Sequence, residues 1–414
     1  MKNNIVVTGR GLVTPLGAGL ERNETALRNG ESGIVFVPEW KEVGLESQIA
    51  GLIDEKLLEC PLFNKKNLRY MSPNVMLGTV AAYEAIQEAG LDLETLQNKR
   101  VAIVLGHGGS THQIVHEGAK ILETTGKSKR VSPFIVPKVM PSSAVSSLSL
   151  ILGITGETFT VSSACASGAH AVMVSSRLLQ SGMYDIVITG GTEEVSWVHA
   201  LGFDAMRAIS RGYNDDPTKG SRPFDQARDG FVISAGAGIM ILESEEHAKS
   251  RNARPIAKVS AATANSNATD MVFPDADSSA KLMKEALKMA NLKPSDIDYV
   301  NTHGTSTPVG DPVEMNSLKS VFEKENKNVA INSTKSMTGH MIGATGAVEV
   351  IFCTQMIDKG FICPTINLDN PDPEFDWANL VRETIPEVKV KHALSNSFGF
   401  GGTNSCVILS TLEK

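Results

Sequence analysis

The sequence predicts an α/β fold built from two similar halves, and three observations carry that prediction. Short β-branched apolar runs alternate with helix-period patterns along the whole chain, the signature of strands whose faces are covered by helices. EAIQEAGLD from Glu84, followed by VLGHGGS, echoes EALKMANLK from Glu285, followed by VNTHGTS, so a helix and then a strand ending in His-Gly occurs twice. GAHAVMVSSRLLQSG over 168–182 aligns without gaps on GAVEVIFCTQMIDKG over 346–360. Internal similarity in the same element order indicates duplication. The chain divides on this reading into a first half over 1–250 and a second over 251–414. Each is expected to be mostly parallel sheet with helices on its faces, with a site where the strand ends of the two halves meet.

Taken in order, residues 4–8 read as a strand, 21–29 as a short helix and 32–64 as loops and short strands. Over 72–90 a helix opens with Ser72 as cap and Pro73 in the first turn, and stops at Gly90. A buried strand over 101–105 ends in GHGGS. A helix from 118 runs into a loop carrying Lys127, Lys129 and Arg130, and 141–152 form a helix of Ser, Ala, Leu and Val. TVSSAC over 160–165 passes from strand into a helix over 166–182, followed by a strand over 185–189 and a helix over 197–207. The polar loop over 210–230 is long enough that it must be functional or heavily tied down. Residues 231–242 read as one strand, with Gly236 and Gly238 marking close backbone approach. In the second half strands over 256–262, 299–302 and 329–332 alternate with helices over 278–289, 312–322 and 343–360, and a strand pair over 393–409 closes the chain.

A net charge of −7 argues against wholesale nucleic-acid binding. The five cysteines at 60, 165, 353, 363 and 406 form no CxxC pair and are odd in number, which suits a reducing cytoplasm. The sequence enters a strand within four residues and holds no apolar run near the roughly 18 residues that span a bilayer, so a cytoplasmic protein without membrane insertion is expected.

Cys165 lies where a strand turns into a helix. The positive end of a helix dipole, roughly half a unit charge, favours thiolate over thiol, and the small neighbours Ser163, Ala164, Ala166, Ser167 and Gly168 leave room for a substrate. Two histidines of the second half also sit at element ends. His303 in NTHGTSTPVGD follows the strand over 299–302, and His340 in STKSMTGHMIGATG precedes the helix that matches the Cys165 helix. Duplication would bring both opposite Cys165. Neither has another ligand-type residue at helical spacing, and His107, His112 and His116 read as an incidental cluster, so a metal site is not expected.

With SSACASGAH, NTHGTSTPVGDPVE, NSTKSMTGH and SFGFGGTN in this order, the chain resembles the β-ketoacyl-acyl-carrier-protein synthases, the elongating condensing enzymes of fatty-acid synthesis. The resemblance runs from VVTGRGLVTPLG to SFGFGGTN. GGTEEVSW, GFDAM and ATDMV bring it nearest synthase I, whereas Ser234-Ala235-Gly236-Ala237-Gly238 departs from the GEGAG common in synthase II. It implies a thiolase-like duplicated fold in α-β-α-β-α layers, and an acyl group carried on Cys165. An oxyanion hole would be made by the backbone N–H groups of Cys165 and Phe400, and His303 and His340 would stabilise the enolate formed when malonyl-carrier protein loses CO2.

The same resemblance makes Lys335 and Glu349 the electrostatic setting of the histidines, with Asp311 and Glu314 in the same network. It makes Thr305 and Thr307 ligands of the pantetheine arm, Phe398 and Phe203 substrate contacts, and the glycines of GFGG the flexible part of a gate. It implies a homodimer, no cofactor beyond the phosphopantetheine of the substrate carrier, and an acidic acyl-carrier protein as partner. That partner would be met by Lys65, Lys66 and Arg69 and by Lys127, Lys129 and Arg130. His107 stands where relatives have a small residue; it would shorten the acyl pocket or point outward, and the outward reading is preferred. A thiolase would need a second catalytic cysteine, but Cys406 lies in the buried run CVIL. A polyketide-type ketosynthase would share Cys165, His303 and His340.

Overall fold

The structure, a computed structural model, describes residues 4–109 and 111–412. Residues 1–3 and Ser110, the last of the GHGGS motif, lie outside the described residues. Among the described residues twelve strands form one sheet. Its principal strands are β1 (Ile5–Thr14), β2 (Val101–Gly106), β3 (Thr158–Val161), β4 (Ile186–Glu193), β5 (Gly236–Ser244), β6 (Ala257–Ser266), β7 (Tyr299–Asn301), β8 (Ala330–Asn332), β9 (Asn379–Leu380), β10 (His392–Gly399) and β11 (Thr403–Ser410). They lie in the order β9-β8-β7-β10-β11-β6-β1-β5-β4-β2-β3.

The two ends of this sheet are parallel, but the run β10-β11-β6-β1-β5-β4 through its centre is antiparallel. The sheet is therefore mixed and not mostly parallel. Parallel neighbours need a crossover of roughly a dozen residues, and the link over 400–402 between β10 and β11 is far too short for one.

The helices that cover it are α1 (Pro73–Glu88), α2 (His112–Thr125), α3 (Ser143–Leu152), α4 (Ser167–Gln180), α5 (Trp197–Ala205), α6 (Ala276–Ala290), α7 (Gly310–Phe322) and α8 (Thr345–Lys359). The period of two along each strand sorts side chains between helix layers. In β2, Val101, Ile103 and Leu105 pack with α1 and α3, while Ala102 and Val104 pack with α4 and α8. In β11, Cys406 and Ile408 pack with α6 and α7, while Val407 and Leu409 turn to α4 and α8. The result is an α-β-α-β-α layering in which α4 and α8 form the central layer. Every residue of α8 from Thr345 to Met356 is buried, which explains a helix that is apolar on nearly all sides.

Several local expectations are corrected. The helix expected from 118 starts at His112 and ends at Thr125, leaving the basic residues beyond it. Ser72 does precede α1, but its hydroxyl bonds Asn74 Oδ1 at 2.6 Å and makes no cap to the helix backbone. The strand expected from 231 begins only at Gly236. Residues before it make isolated bridges, Phe231 with Ile209 and Ile233 with His340, because this stretch leaves the sheet to line the site. Within β5 the close approach is real: a Cβ on Gly238 would lie 2.9 Å from Val348 Cγ2 and 3.0 Å from Val348 Cα. Gly238→Ala is accordingly expected to destabilise the fold by about 1–3 kcal/mol, read as a lower denaturant midpoint. An unchanged midpoint would mean that β5 and α8 can separate freely.

Candidate active site

Cys165 lies in the turn over 162–166 between β3 and α4. Ala164 adopts a φ of +48°, a strained conformation for a residue with a Cβ. Local hydrogen bonds hold the turn: Ser167 Oγ accepts the Ser163 N–H at 2.9 Å and donates to the Ala164 carbonyl at 2.6 Å. Ser163 Oγ in turn meets His170 Nδ1 at 2.5 Å. The thiol faces a cavity of about 320 Å³ that is also lined by His303, His340, Thr305, Thr307, Phe203, Phe231, Phe398 and Phe400.

His303 and His340 come together across this cavity, with ring centroids 5.3 Å apart and planes at 86°. The His303 turn is gripped through its backbone. Glu314, in the first turns of α7, accepts the N–H groups of His303 at 2.8 Å and Gly304 at 2.7 Å. Asp311 accepts those of Ser306 at 3.1 Å and Phe224 at 3.0 Å. Burial pushes Glu314 up to about 7 and Asp311 up to about 6. Both acids thus shape the turn that carries His303 and make no bond to its ring.

His340 is fixed by its backbone, which donates to the Val232 carbonyl at 2.7 Å, and by its Nδ1, which lies 2.9 Å from Thr345 Oγ1. When the threonine hydroxyl donates, the proton of the neutral ring sits on Nε2. His340 Nε2 and His303 Nδ1 are both buried and make no hydrogen bond among the described residues. Burial, and then the charge of Lys335, hold both histidines well below the ordinary imidazole range. They are neutral N–H donors at pH 7.

Lys335 and Glu349 sit behind the histidines and do not line the cavity. Lys335 Nζ lies 2.6 Å from Glu349 Oε1, and each side chain is only 1% exposed. Burial lifts Glu349 to about 7 against the pull of Lys335.

The expected thiolate is corrected. Burial pushes the Cys165 thiol up to about 12, outweighing the Lys335 charge and the hydrogen bonds from the backbone N–H groups of Phe400 and Cys165 that pull it down. Cys165 is a thiol at rest, because the cavity wall removes the water that would solvate a thiolate. The same two backbone groups stand where an oxyanion hole is expected.

The loop over 210–230 is tied down. Ser221 Oγ donates to the Lys335 carbonyl at 2.6 Å, the Arg222 N–H to Ser306 Oγ at 3.0 Å, and the Gly230 N–H to the Ser306 carbonyl at 3.1 Å. Arg228 is paired with Asp372 at 3.1 Å. It buckles the His303 turn to the lysine segment.

Thr305 and Thr307 face each other at 3.1 Å on the cavity wall. Phe203 stacks toward both Phe231 and Phe400, at 5.3 and 6.4 Å. In the GFGG segment, Gly401 and Gly402 have φ of +82° and +69°, and the Gly401 N–H bonds the Met271 carbonyl at 2.7 Å. Lys65, Lys66, Arg69, Lys127, Lys129 and Arg130 are all exposed and none lines the cavity. Cys406 is fully buried in β11, away from the cavity.

His107 neither shortens this cavity nor points outward. It is 5% exposed, with Nδ1 3.1 Å from the Thr192 carbonyl and 3.3 Å from Glu193 Oε1. A carboxylate buried beside it gives the imidazole a partner inside. Among the described residues, no cluster of three or more His, Cys, Asp or Glu is arranged to hold a metal ion. Nor is any described helix long and apolar enough to cross a membrane.

Reading the sequence missed Phe231, Thr345 and Glu193. Phe231 was hidden inside an apparent strand, Thr345 gave a signal only as the hydroxyl nearest His340 in GATG, and Glu193 was visible only as part of GGTEEVSW.

Residues 2–248 match the N-terminal domain of beta-ketoacyl synthase and residues 256–369 its C-terminal domain, and the chain belongs to the beta-ketoacyl synthase family. It is 40% identical over 404 residues to 3-oxoacyl-acyl-carrier-protein synthase 1 of Haemophilus influenzae, covering 97% of this chain and 98% of that one. Among solved structures it superimposes on a beta-ketoacyl synthase from Burkholderia phymatum with a TM-score of 0.93 and 30% identity, over 99% of this chain and 100% of that one. It also matches AntDE:AntF, a type II polyketide acyl-carrier protein in complex with its ketosynthase, with a TM-score of 0.89 and 29% identity, over the whole of both chains.

Proposed function

We propose that the protein extends fatty acyl chains by two carbons through decarboxylative condensation of an acyl-cysteine with malonyl-acyl-carrier protein. The observation that carries this reading is the convergence of Cys165 with two neutral histidines, His340 buried and His303 half-buried, on one cavity. The Cys165 sulfur attacks an acyl thioester, losing its proton as the carrier thiol leaves, and the backbone N–H groups of Cys165 and Phe400 receive the carbonyl oxygen. Malonyl thioester then occupies the cavity and releases CO2. The electron pair of the broken C–C bond passes into an enolate whose oxygen accepts the imidazole N–H groups, which bind it more tightly than the ground-state carbonyl. Its carbon attacks the acyl carbonyl, and expulsion of the cysteine sulfur, which takes up a proton from water to return to the thiol, yields the 3-oxoacyl product.

Lys335 and Glu349 keep the histidines neutral and oriented, Thr305 and Thr307 bond the pantetheine arm, and Phe203 and Phe398 contact the acyl groups. The protein works in the cytoplasm as a homodimer of chains whose halves, 1–250 and 251–414, supply the nucleophile and the histidines. It needs no cofactor beyond the phosphopantetheine of its substrates. The acidic acyl-carrier protein docks on Lys65, Lys66 and Arg69 and on Lys127, Lys129 and Arg130, which are free to meet it on the surface.

Intact mass spectrometry tests the reading. Acyl-carrier proteins of graded chain length are expected to leave an acyl adduct on the wild type and none on Cys165→Ala, and malonyl-carrier protein should discharge it to a 3-oxoacyl product. An adduct on Cys165→Ala would place the nucleophile elsewhere.

A further inference from the structure

We propose that Glu193 is a positioning residue for the condensation, because its carboxylate ties the turn after β2 to the loop that carries His340. Glu193 is the last residue of β4 and is fully buried. Its Oε2 accepts two backbone N–H groups, from Gly108 at 2.7 Å in the first half and from Gly343 at 3.0 Å in the second. Gly343 lies three residues after His340 and two before Thr345, whose hydroxyl orients the His340 ring.

The three segments meet backbone to backbone. A Cβ on Gly343 would lie 2.2 Å from the Gly108 nitrogen, and one on Gly168, in the first turn of the nucleophile helix, would lie 2.9 Å from the Gly343 carbonyl oxygen. The side chains nearest the gap beside Gly108 are the Glu193 carboxylate and the Ile342 methyl group. One acceptor atom therefore joins the turn after β2, whose Gly106 packs against Gly168 of the nucleophile helix, to the loop that presents His340.

The carboxylate also has an electrostatic effect. Its charge disfavours the Cys165 thiolate, opposing Lys335, while His303 and His340 on the same cavity are neutral. Around Glu193 itself stand His107, Glu194 and His199. Removing this charge while keeping the acceptor should make the thiol more acidic, a change that loss of packing alone would not produce.

The inference rests on the proposed condensation, and two variants separate its parts. In Glu193→Gln the amide oxygen can still accept both N–H groups, but the charge is gone. Its Cys165, followed by peptide mapping to exclude Cys60, should be alkylated by iodoacetamide at pH 8 roughly tenfold faster than the wild type. Its decarboxylation of malonyl-carrier protein should stay within about threefold of the wild type. Glu193→Ala loses the clamp, and its decarboxylation kcat should fall on the order of 10²-fold with little change in KM.

An unaltered alkylation rate in Glu193→Gln, or wild-type decarboxylation by Glu193→Ala, would overturn the assignment. Should Glu193→Ala fail to fold, Glu193→Asp, which keeps the charge but shortens the reach to Gly108 and Gly343, decides: its decarboxylation kcat should fall with little change in KM, and a wild-type kcat would overturn the positioning role. Alkylation needs no acyl substrate, so a wild type that never condenses would overturn the proposed reaction, while the alkylation rate would still decide the role of Glu193.

Discussion

His340→Ala is expected to lower the decarboxylation of malonyl-carrier protein by about 10²–10³-fold while Cys165 still takes up an acyl group. The asymmetry follows from the geometry. His340 Nε2 is a buried donor with no hydrogen bond among the described residues, as is fitting for a group reserved for an oxygen that arrives with the substrate. Acyl transfer is proposed to use the backbone N–H groups of Phe400 and Cys165, which bond the thiol and which the substitution leaves in place. His303→Ala should show the same pattern. The double variant should be little worse than either single one, because two donors to one oxygen act as a unit. Loading followed by intact mass, together with CO2 release from malonyl-carrier protein, checks both halves. If either variant lost acyl loading as completely as Cys165→Ala, the histidine would belong to the first half-reaction and the proposed division of labour would fail.

Lys335→Ala should be the most destabilising single change at the site, by about 3–5 kcal/mol, because it leaves the buried Glu349 without the cation that pairs with it. The prediction has a compensating arm. Replacing both partners, as Lys335→Met with Glu349→Leu, removes the stranded charge and should recover most of the lost stability in denaturant titration without recovering condensation. Full activity in the double variant would show that the pair is packing alone. A single variant as stable as the wild type would mean that Glu349, released from the lysine that pulls it down, takes up a proton without loss of stability.

The layered fold was legible because strand and helix periods alternate and because the segments that form α4 and α8 align without gaps. The mixed sheet was not, since pairing direction across β1, β5 and β6 depends on partners distant in sequence. Cys165, His303 and His340 were legible from their place at element ends, and the family motifs added Lys335, Glu349 and Phe400. The charge state of Cys165 was misjudged because a helix dipole can be read from sequence, whereas desolvation depends on walls contributed by the His303 turn, by Phe398 and Phe400, and by Phe231. His107 was misjudged for a related reason: its partner Glu193 lies 86 residues further along the chain.

The loop over 210–230 has a consequence for how this protein opens. A segment of that length would ordinarily exchange its amide hydrogens within seconds, yet the Arg222 and Gly230 amides are bonded to Ser306 and the Phe224 amide to Asp311. Those amides are released only when the loop parts from the His303 turn. Their exchange should therefore be as slow as that of the central strands and governed by global unfolding, so that no partly opened form keeps the fold while losing the histidines.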